Sequence, residues 1–140
     1  MNDKLKLTLL AITPLIIGNL VNFIPLTIII SVLFLLYWFW IGFISAKFTE
    51  SGIQSILIGN SFGIISIIIL LVTEIIFKRY LTGFLGLQPQ MYFLVSIKIP
   101  AIVLPLFIAH LNGTLLFGTS FVLMVLVYYI GYIIGRKKIT

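Results

Sequence analysis

Residues 53–77 read IQSILIGNSFGIISIIILLVTEIIF, a run in which Glu74 is the only charged side chain. A helix that crosses the hydrocarbon core of a bilayer needs about 20 predominantly apolar residues. A membrane β-strand alternates apolar and polar residues over about ten positions, and the stretch IISIIILLV at 64–72 does not alternate. Because backbone polar groups in lipid must be hydrogen-bonded internally, the run predicts a transmembrane α-helix.

Four other apolar segments flank this run, at 7–23, 26–46, 91–110 and 115–135. They predict one domain over 1–140, an all-α integral membrane protein built as a small polytopic bundle of five apolar helices. The first segment is short and contains Pro14, Asn19 and Asn22. We therefore expect it to be re-entrant or short, and the other four segments to span the bilayer fully.

The composition excludes several classes of protein. Of 140 residues, 61% are apolar and 9% are charged, against about 25% charged in soluble domains, and the mean hydropathy is +1.29. A soluble domain and a disordered chain are excluded, and the lack of cysteine excludes a disulfide scaffold. No Walker A, GxGxxG, HExxH, CxxC or GxSxG motif occurs. We expect no enzyme activity, cofactor, metal or nucleic-acid partner.

Basic residues predict the orientation of the chain. With a re-entrant first segment, seven basic residues share one side of the membrane and Lys47 alone faces the other. The positive-inside rule then places both termini in the cytoplasm. Five crossings, with the N-terminus outside and basic residues divided five to three, remain the alternative. Abundant Ile, Leu and Lys indicate an AT-rich bacterial genome, and so a bacterial cytoplasmic membrane.

Aromatic residues gather near the predicted ends of the helices. Such positions are typical of the belts that tryptophan and tyrosine form at membrane interfaces. We expect belt positions for Tyr37, Trp38, Phe39, Trp40, Tyr80, Tyr92, Tyr128, Tyr129 and Tyr132.

The least expected residue is Lys98, which lies within the fourth segment. An intramembrane lysine needs a partner or access to water. Glu74, near the end of the third segment, is the candidate partner for an ion pair between helices. In the alternative interpretation Lys98 reaches the headgroups and Glu74 pairs with Lys78, four residues later.

Other polar residues are candidates for a shared site. Asn19, Asn22, Asn60 and Ser61 are candidates for a polar pocket, although each asparagine can instead cap a turn or join helices. His110, the only histidine, is a possible pH sensor or an ordinary interfacial residue.

Small residues mark candidate packing faces. Gly59 with Gly63, and Gly131 with Gly135, form two GxxxG patterns. Such patterns let helix backbones approach closely, either within one chain or between two copies.

These features favour a non-enzymatic accessory or interaction protein that packs against itself or a larger membrane partner. The first alternative is an oligomeric channel or transporter for ions or small solutes that uses Lys98 and Glu74. The second is a holin-like lysis protein with a basic cytoplasmic tail.

Overall fold

The computed structural model of the chain describes residues 2–25, 27–78 and 83–139, and these residues form helices and connections without any strand. The helices are α1 (Asp3–Ala11), α2 (Thr13–Val21), α3 (Ile28–Ser45), α4 (Gly52–Gly59), α5 (Ser61–Phe77), α6 (Phe84–Leu94), α7 (Lys98–Val103) and α8 (Gly113–Lys137), with a 3₁₀ turn at Leu104–Leu106.

Side-chain caps set the start of four helices. Each capping oxygen accepts a hydrogen bond from a backbone N–H in the first turn, which satisfies one of the donors that a helix start leaves free. The caps are Asn2, Thr27, Ser51 and Asn112. The cap at Asn2 explains why the first helix begins at Asp3, four residues before the predicted start.

Three to five apolar helices are long enough to cross a membrane. Three qualify alone, namely Asp3–Val21, Ile28–Ser45 and Gly113–Lys137. Two further spans qualify only as bent pairs, with bends of 61° between α4 and α5 and 75° between α6 and α7. The first predicted segment, expected to be re-entrant or short, lies within the 19-residue run Asp3–Val21 that α1 and α2 share.

The bend between α4 and α5 lies at Asn60. Its side-chain Nδ2 donates to the Ile56 carbonyl oxygen at 3.2 Å, and its own N–H also bonds that oxygen, at 2.9 Å. Asparagine side chains compete in this way with the regular helix ladder. The predicted helix at 53–77 is therefore two helices joined at this residue.

The bend between α6 and α7 occupies residues 95–97, just before Pro100. Proline lacks an N–H, and its ring clashes with the carbonyl four residues earlier, which here belongs to Ser96. The predicted helix at 91–110 is therefore divided into the end of α6, α7 and the 3₁₀ turn, and α6 itself begins earlier, at Phe84.

The most extensive contact in the bundle joins α3 and α8. A Cβ on Gly131 would overlap the Phe39 carbonyl oxygen, and a Cβ on Gly135 would overlap that of Phe43. Residue numbers therefore rise together along the two helices, so α3 and α8 are parallel. The predicted four crossings made these helices antiparallel, and that prediction was wrong.

The first helix pair runs antiparallel to α3. The Lys6 Nζ lies 5.8 Å from the centre of the Phe48 ring, and the Tyr37 hydroxyl donates to Thr13 Oγ1 at 3.2 Å. The start of α1, the 46–50 segment and the end of α8 thus lie together, and we call this the terminal end. The connections 22–25 and 107–112 lie at the other end, the loop end.

α5 and α6 form an antiparallel pair. Gly63 lies against the Tyr92 ring, and Ser66 lines a cavity with Gln88. Residue numbers therefore rise along α5 as they fall along α6. Since α4 begins at the terminal end, α5 runs toward the loop end.

α6 and α7 form a V that opens toward the loop end. α6 is antiparallel to α2, because Gly18 lies against the Met91 backbone while Asn19 bonds Gln88. α7 runs back along α8, since Leu104 shares a cavity with Thr119. α6 therefore starts from the loop end and α7 runs toward it, with a bend of 75° between them.

Large side chains fill the centre of the bundle. Trp38, Tyr92, Phe93 and Tyr128 are almost wholly buried. The Trp38 and Tyr128 ring centres lie 5.8 Å apart. The expectation that Trp38, Tyr92 and Tyr128 belong to interfacial belts was wrong for these three residues, and Tyr80 lies outside the described residues.

Candidate functional site

Lys98 is the first residue of α7 and follows the turn of the V directly. Its side chain is half-buried. The neighbouring Ser96 hydroxyl lies 3.4 Å from Met124 Sδ. Met124 is eleven residues from the start of α8 at Gly113, or about 16 Å along the helix axis. Lys98 therefore lies at a level near the middle of α8.

The backbone at this turn is hydrogen-bonded within the protein. The Ser31 hydroxyl donates to the Val95 carbonyl oxygen at 2.5 Å, across from α3. The Ser96 hydroxyl donates to the Phe93 carbonyl oxygen at 3.1 Å. Irregular backbone at this depth is tolerated in a membrane where such partners exist.

Glu74 is half-buried near the end of α5. Within the ranges that the structure describes, the only salt bridge joins Lys6 and Asp3, at 2.8 Å. Glu74 therefore forms no ion pair with Lys98, and the predicted pair across helices is absent. The local pairing of Glu74 with Lys78 is absent too, because Lys78 ends α5 in the left-handed conformation, at φ 54°.

The predicted polar pocket is not assembled. Asn19 Nδ2 donates to the Leu15 carbonyl oxygen at 2.8 Å and to Gln88 Oε1 at 3.0 Å, which joins α2 to α6. Asn22 is exposed beyond α2. The two asparagines thus serve different local structures rather than one chamber.

Asn60 and Ser61 belong to the bend between α4 and α5. The Ser61 hydroxyl donates to the Ile58 carbonyl oxygen at 2.9 Å, so both side chains bond the preceding turn. Asn60 is almost wholly buried, and its Oδ1 has no hydrogen-bond partner. Neither residue contacts Asn19 through a hydrogen bond.

His110 is exposed in the 107–112 connection. Across the described ranges, no three His, Cys, Asp or Glu side chains come together as metal ligands do. The position leaves the His110 side chain exposed at the loop end.

The two GxxxG patterns face the inside of the bundle. Gly131 and Gly135 lie against α3, as described above. A Cβ on Gly59 would overlap the Tyr128 hydroxyl, and one on Gly63 would come within 3.0 Å of the Tyr92 ring. These glycines permit close contacts within one chain.

Sequence reasoning missed a buried cluster of hydroxyl groups that joins three helices. The Ser55 hydroxyl lies 2.8 Å from Ser45 Oγ and 3.0 Å from the Tyr128 hydroxyl. The Tyr128 hydroxyl also donates to the Ser55 carbonyl oxygen at 3.1 Å. Serines in apolar segments are the signal for such a cluster, but only the parallel pairing of α3 and α8 shows which tyrosine completes it.

A surface cavity at the terminal end was also missed. It has a volume of about 560 Å³ and lies between the 46–50 segment and the end of α8. The Arg136 Nη1 atom lies 3.5 Å from the carbonyl oxygens of both Ala46 and Thr49. No pattern within either segment predicts this meeting, because it depends on the parallel pairing.

Comparison with known proteins gives no family and no relative: no family model, curated protein or solved structure matches the chain.

Proposed function

We propose that the chain is a multi-pass protein of a bacterial cytoplasmic membrane, with four crossings and one re-entrant segment. The crossings are α1 with α2, α3, α4 with α5, and α8, and the V of α6 and α7 enters and leaves at the loop end. The charges support this arrangement. The basic residues at the terminal end are Lys4, Lys6, Lys47, Arg136, Lys137 and Lys138.

Among the described residues, the basic residue at the loop end is Lys78, which ends α5. This division of six to one among the described residues directs the terminal end to the cytoplasm by the positive-inside rule.

Cysteine accessibility tests this orientation, because the chain has no cysteine of its own. We expect single cysteines at Asn2 and Glu50 to react from the cytoplasmic side, and those at Asn22 and Asn112 from the other. Labelling of Asn2 and Glu50 from opposite sides would contradict the proposed crossings.

Within this topology we propose a non-enzymatic accessory role, in which the protein acts by lateral association with itself or a larger membrane protein. One observation carries the proposal: the centre of the bundle is filled by Trp38, Tyr92, Phe93 and Tyr128. Its polar side chains bond one another or the backbone between helices, as Asn19 does with Gln88 and Ser55 with Tyr128. The lateral faces of the helices, by contrast, are apolar and exposed.

Photo-crosslinking in native membranes tests the accessory role. A photoreactive residue is introduced singly at exposed sites on four helices: Leu36 on α3, Ile68 on α5, Ile102 on α7 and Leu126 on α8. We expect one face to yield a discrete protein adduct, while the other three serve as matched controls that contact only lipid. Failure of every face to yield a protein adduct would overturn the proposal.

Transport is the second candidate, and one observation favours it. The break before Lys98 brings a lysine to the level of Met124, near the middle of α8. Ionisable residues at membrane depth and interrupted helices are typical of ion and solute pathways. Because the centre of one bundle is filled, such a pathway would run along α7 between copies.

Flux through reconstituted vesicles separates the two candidates. Transport predicts that the purified protein carries ions or small solutes and that Lys98→Met abolishes the flux. The matched control is Lys138→Met, which removes an exposed lysine from the terminal end. Equal flux in both variants would exclude Lys98 from the mechanism, and no flux for any solute would leave the accessory role.

A further inference from the structure

The cavity at the terminal end combines positive charge with an apolar wall. Its volume of about 560 Å³ lies within the range of about 300–1,000 Å³ that is typical of small-molecule sites. The residues that line it are Ala46, Lys47, Phe48, Thr49, Glu50, Arg136 and Ile139. Two of these are cations and one is an anion.

Arg136 and Lys47 are the groups suited to bind an anion. The Arg136 guanidinium lies 3.5 Å from the carbonyl oxygens of Ala46 and Thr49, which orient it at the cavity wall. Lys47 is exposed at the same wall. A guanidinium presents several N–H donors in one plane, so it can contact a phosphate while it retains a carbonyl partner.

The contacts of Arg136 also have a purely structural interpretation. Basic side chains often bond the last carbonyl groups of a helix, here those after α3. That role accounts for the guanidinium position, but not for a cavity of this size or for Lys47 beside it. Phe48 and Ile139 add an apolar wall, against which the first methylenes of a lipid can pack.

We infer that this cavity binds the phosphate group of an anionic phospholipid, with Arg136 and Lys47 as its ligands. Basic pockets between helices at the cytoplasmic face bind such headgroups, and that leaflet holds anionic lipid. The apolar wall favours a lipid over free phosphate, and Glu50 weakens the binding by repulsion. This inference rests on the proposed orientation, which places the terminal end in the cytoplasm, but it goes beyond the accessory role and needs no protein partner.

Calorimetric titration of the detergent-solubilised protein tests the inference. The probes are short-chain phosphatidylglycerol, short-chain phosphatidylcholine and inorganic phosphate. We expect phosphatidylglycerol to bind most tightly. Lys47→Gln and Arg136→Gln should each weaken it about fivefold, which corresponds to about 1 kcal/mol per basic residue near an anionic surface.

Two further variants sharpen the test. Glu50→Gln should tighten phosphatidylglycerol binding, because it removes the repulsion, whereas Lys137→Gln, at the same end but outside the cavity lining, should leave it unchanged. Lys47 is exposed, so Lys47→Gln still measures the contribution of a basic residue to lipid binding even if Arg136→Gln unfolds the end of α3.

Three results would overturn the inference. Equal affinity for the two lipids would show that the cavity does not recognise an anionic headgroup. If Lys137→Gln weakened phosphatidylglycerol binding as much as Lys47→Gln or Arg136→Gln, the binding would be due to the general surface charge and not to the cavity. Inorganic phosphate that binds as tightly as phosphatidylglycerol would assign the site to the free anion instead of a lipid.

Discussion

The α3–α8 pair and the V of α6 and α7 represent opposite ways to place a helix in an apolar environment. In the pair, two continuous helices approach so closely that glycines meet backbone carbonyl oxygens. In the V, the helix is interrupted at residues 95–97 and its freed backbone bonds Ser31 and Ser96. The comparison shows that this chain uses glycine to build its rigid element and serine to stabilise its irregular one.

The largest effect should come from Gly131→Leu, which breaks the rigid side of the comparison. Its side chain would overlap the Phe39 carbonyl oxygen, and backbone moves less readily than a side chain. We expect a loss of about 3 kcal/mol or more, the upper end of overpacking costs. Thermal melting in detergent measures it.

Gly118→Leu is the matched control for this substitution. Gly118 lies on the same helix, and no atom outside its own helical surroundings lies within 4 Å of a Cβ there. The variant should be as stable as the parent or more stable, since leucine has a higher helix propensity than glycine. An equal loss in both variants would contradict the close approach of α3 and α8.

Lys98→Leu tests the irregular side. A lysine at the centre of a membrane helix costs about 2.5–3.5 kcal/mol on insertion scales. We expect the variant to favour insertion by a comparable amount in a glycosylation-based insertion assay. If the Lys98 side chain reaches the headgroups instead, this gain in insertion free energy should disappear. A gain smaller than that from Lys78→Leu would contradict the placement of the turn at 95–97 near the middle of the bundle.

Tyr128→Phe probes the hydroxyl cluster that links α4 to the rigid pair. It removes the hydrogen bonds to Ser55 and should destabilise the protein by about 1 kcal/mol, the usual net value of a hydrogen bond. Tyr129→Phe is the control, because its side chain is 38% exposed. Equal melting temperatures for the two variants would show that the cluster adds no stability.

The smallest effect belongs to the contact between α2 and the V. Asn19→Leu should cost about 0.6 kcal/mol, the average for hydrogen bonds between membrane helices. In a double-mutant cycle with Gln88→Leu, the two losses should not add, because both remove the same amide contact. Additive losses would mean that the two side chains act separately.

The sequence was sufficient to predict the helical class and the approximate extent of most apolar segments, because length and composition determine both. It did not predict the lateral arrangement. The pattern Gly131–Gly135 indicates a close approach without identifying the partner, and only the contact with Phe39 and Phe43 shows that α3 is that partner. The direction of α8 relative to α3 follows from these two contacts, because residue numbers rise together along both helices.

The candidate site was less predictable for a related reason. Glu74, Lys98, Asn19 and Asn60 were grouped by depth along their segments, but depth does not determine which face of a helix a residue occupies. Asn19 turns to Gln88, and Asn60 bonds its own helix. Bends at Asn60 and before Pro100 then change the depth of every later residue in those segments.

The pairing of α3 with α8 also sets a delay during synthesis. α8 begins 68 residues after α3 ends, from Ser45 to Gly113. At about 5–20 residues per second, the ribosome needs about 3–14 s to produce that interval. During this time the face of α3 that meets Gly131 and Gly135 is open to lipid or to another nascent helix, so the pairing depends on which helix reaches that face first.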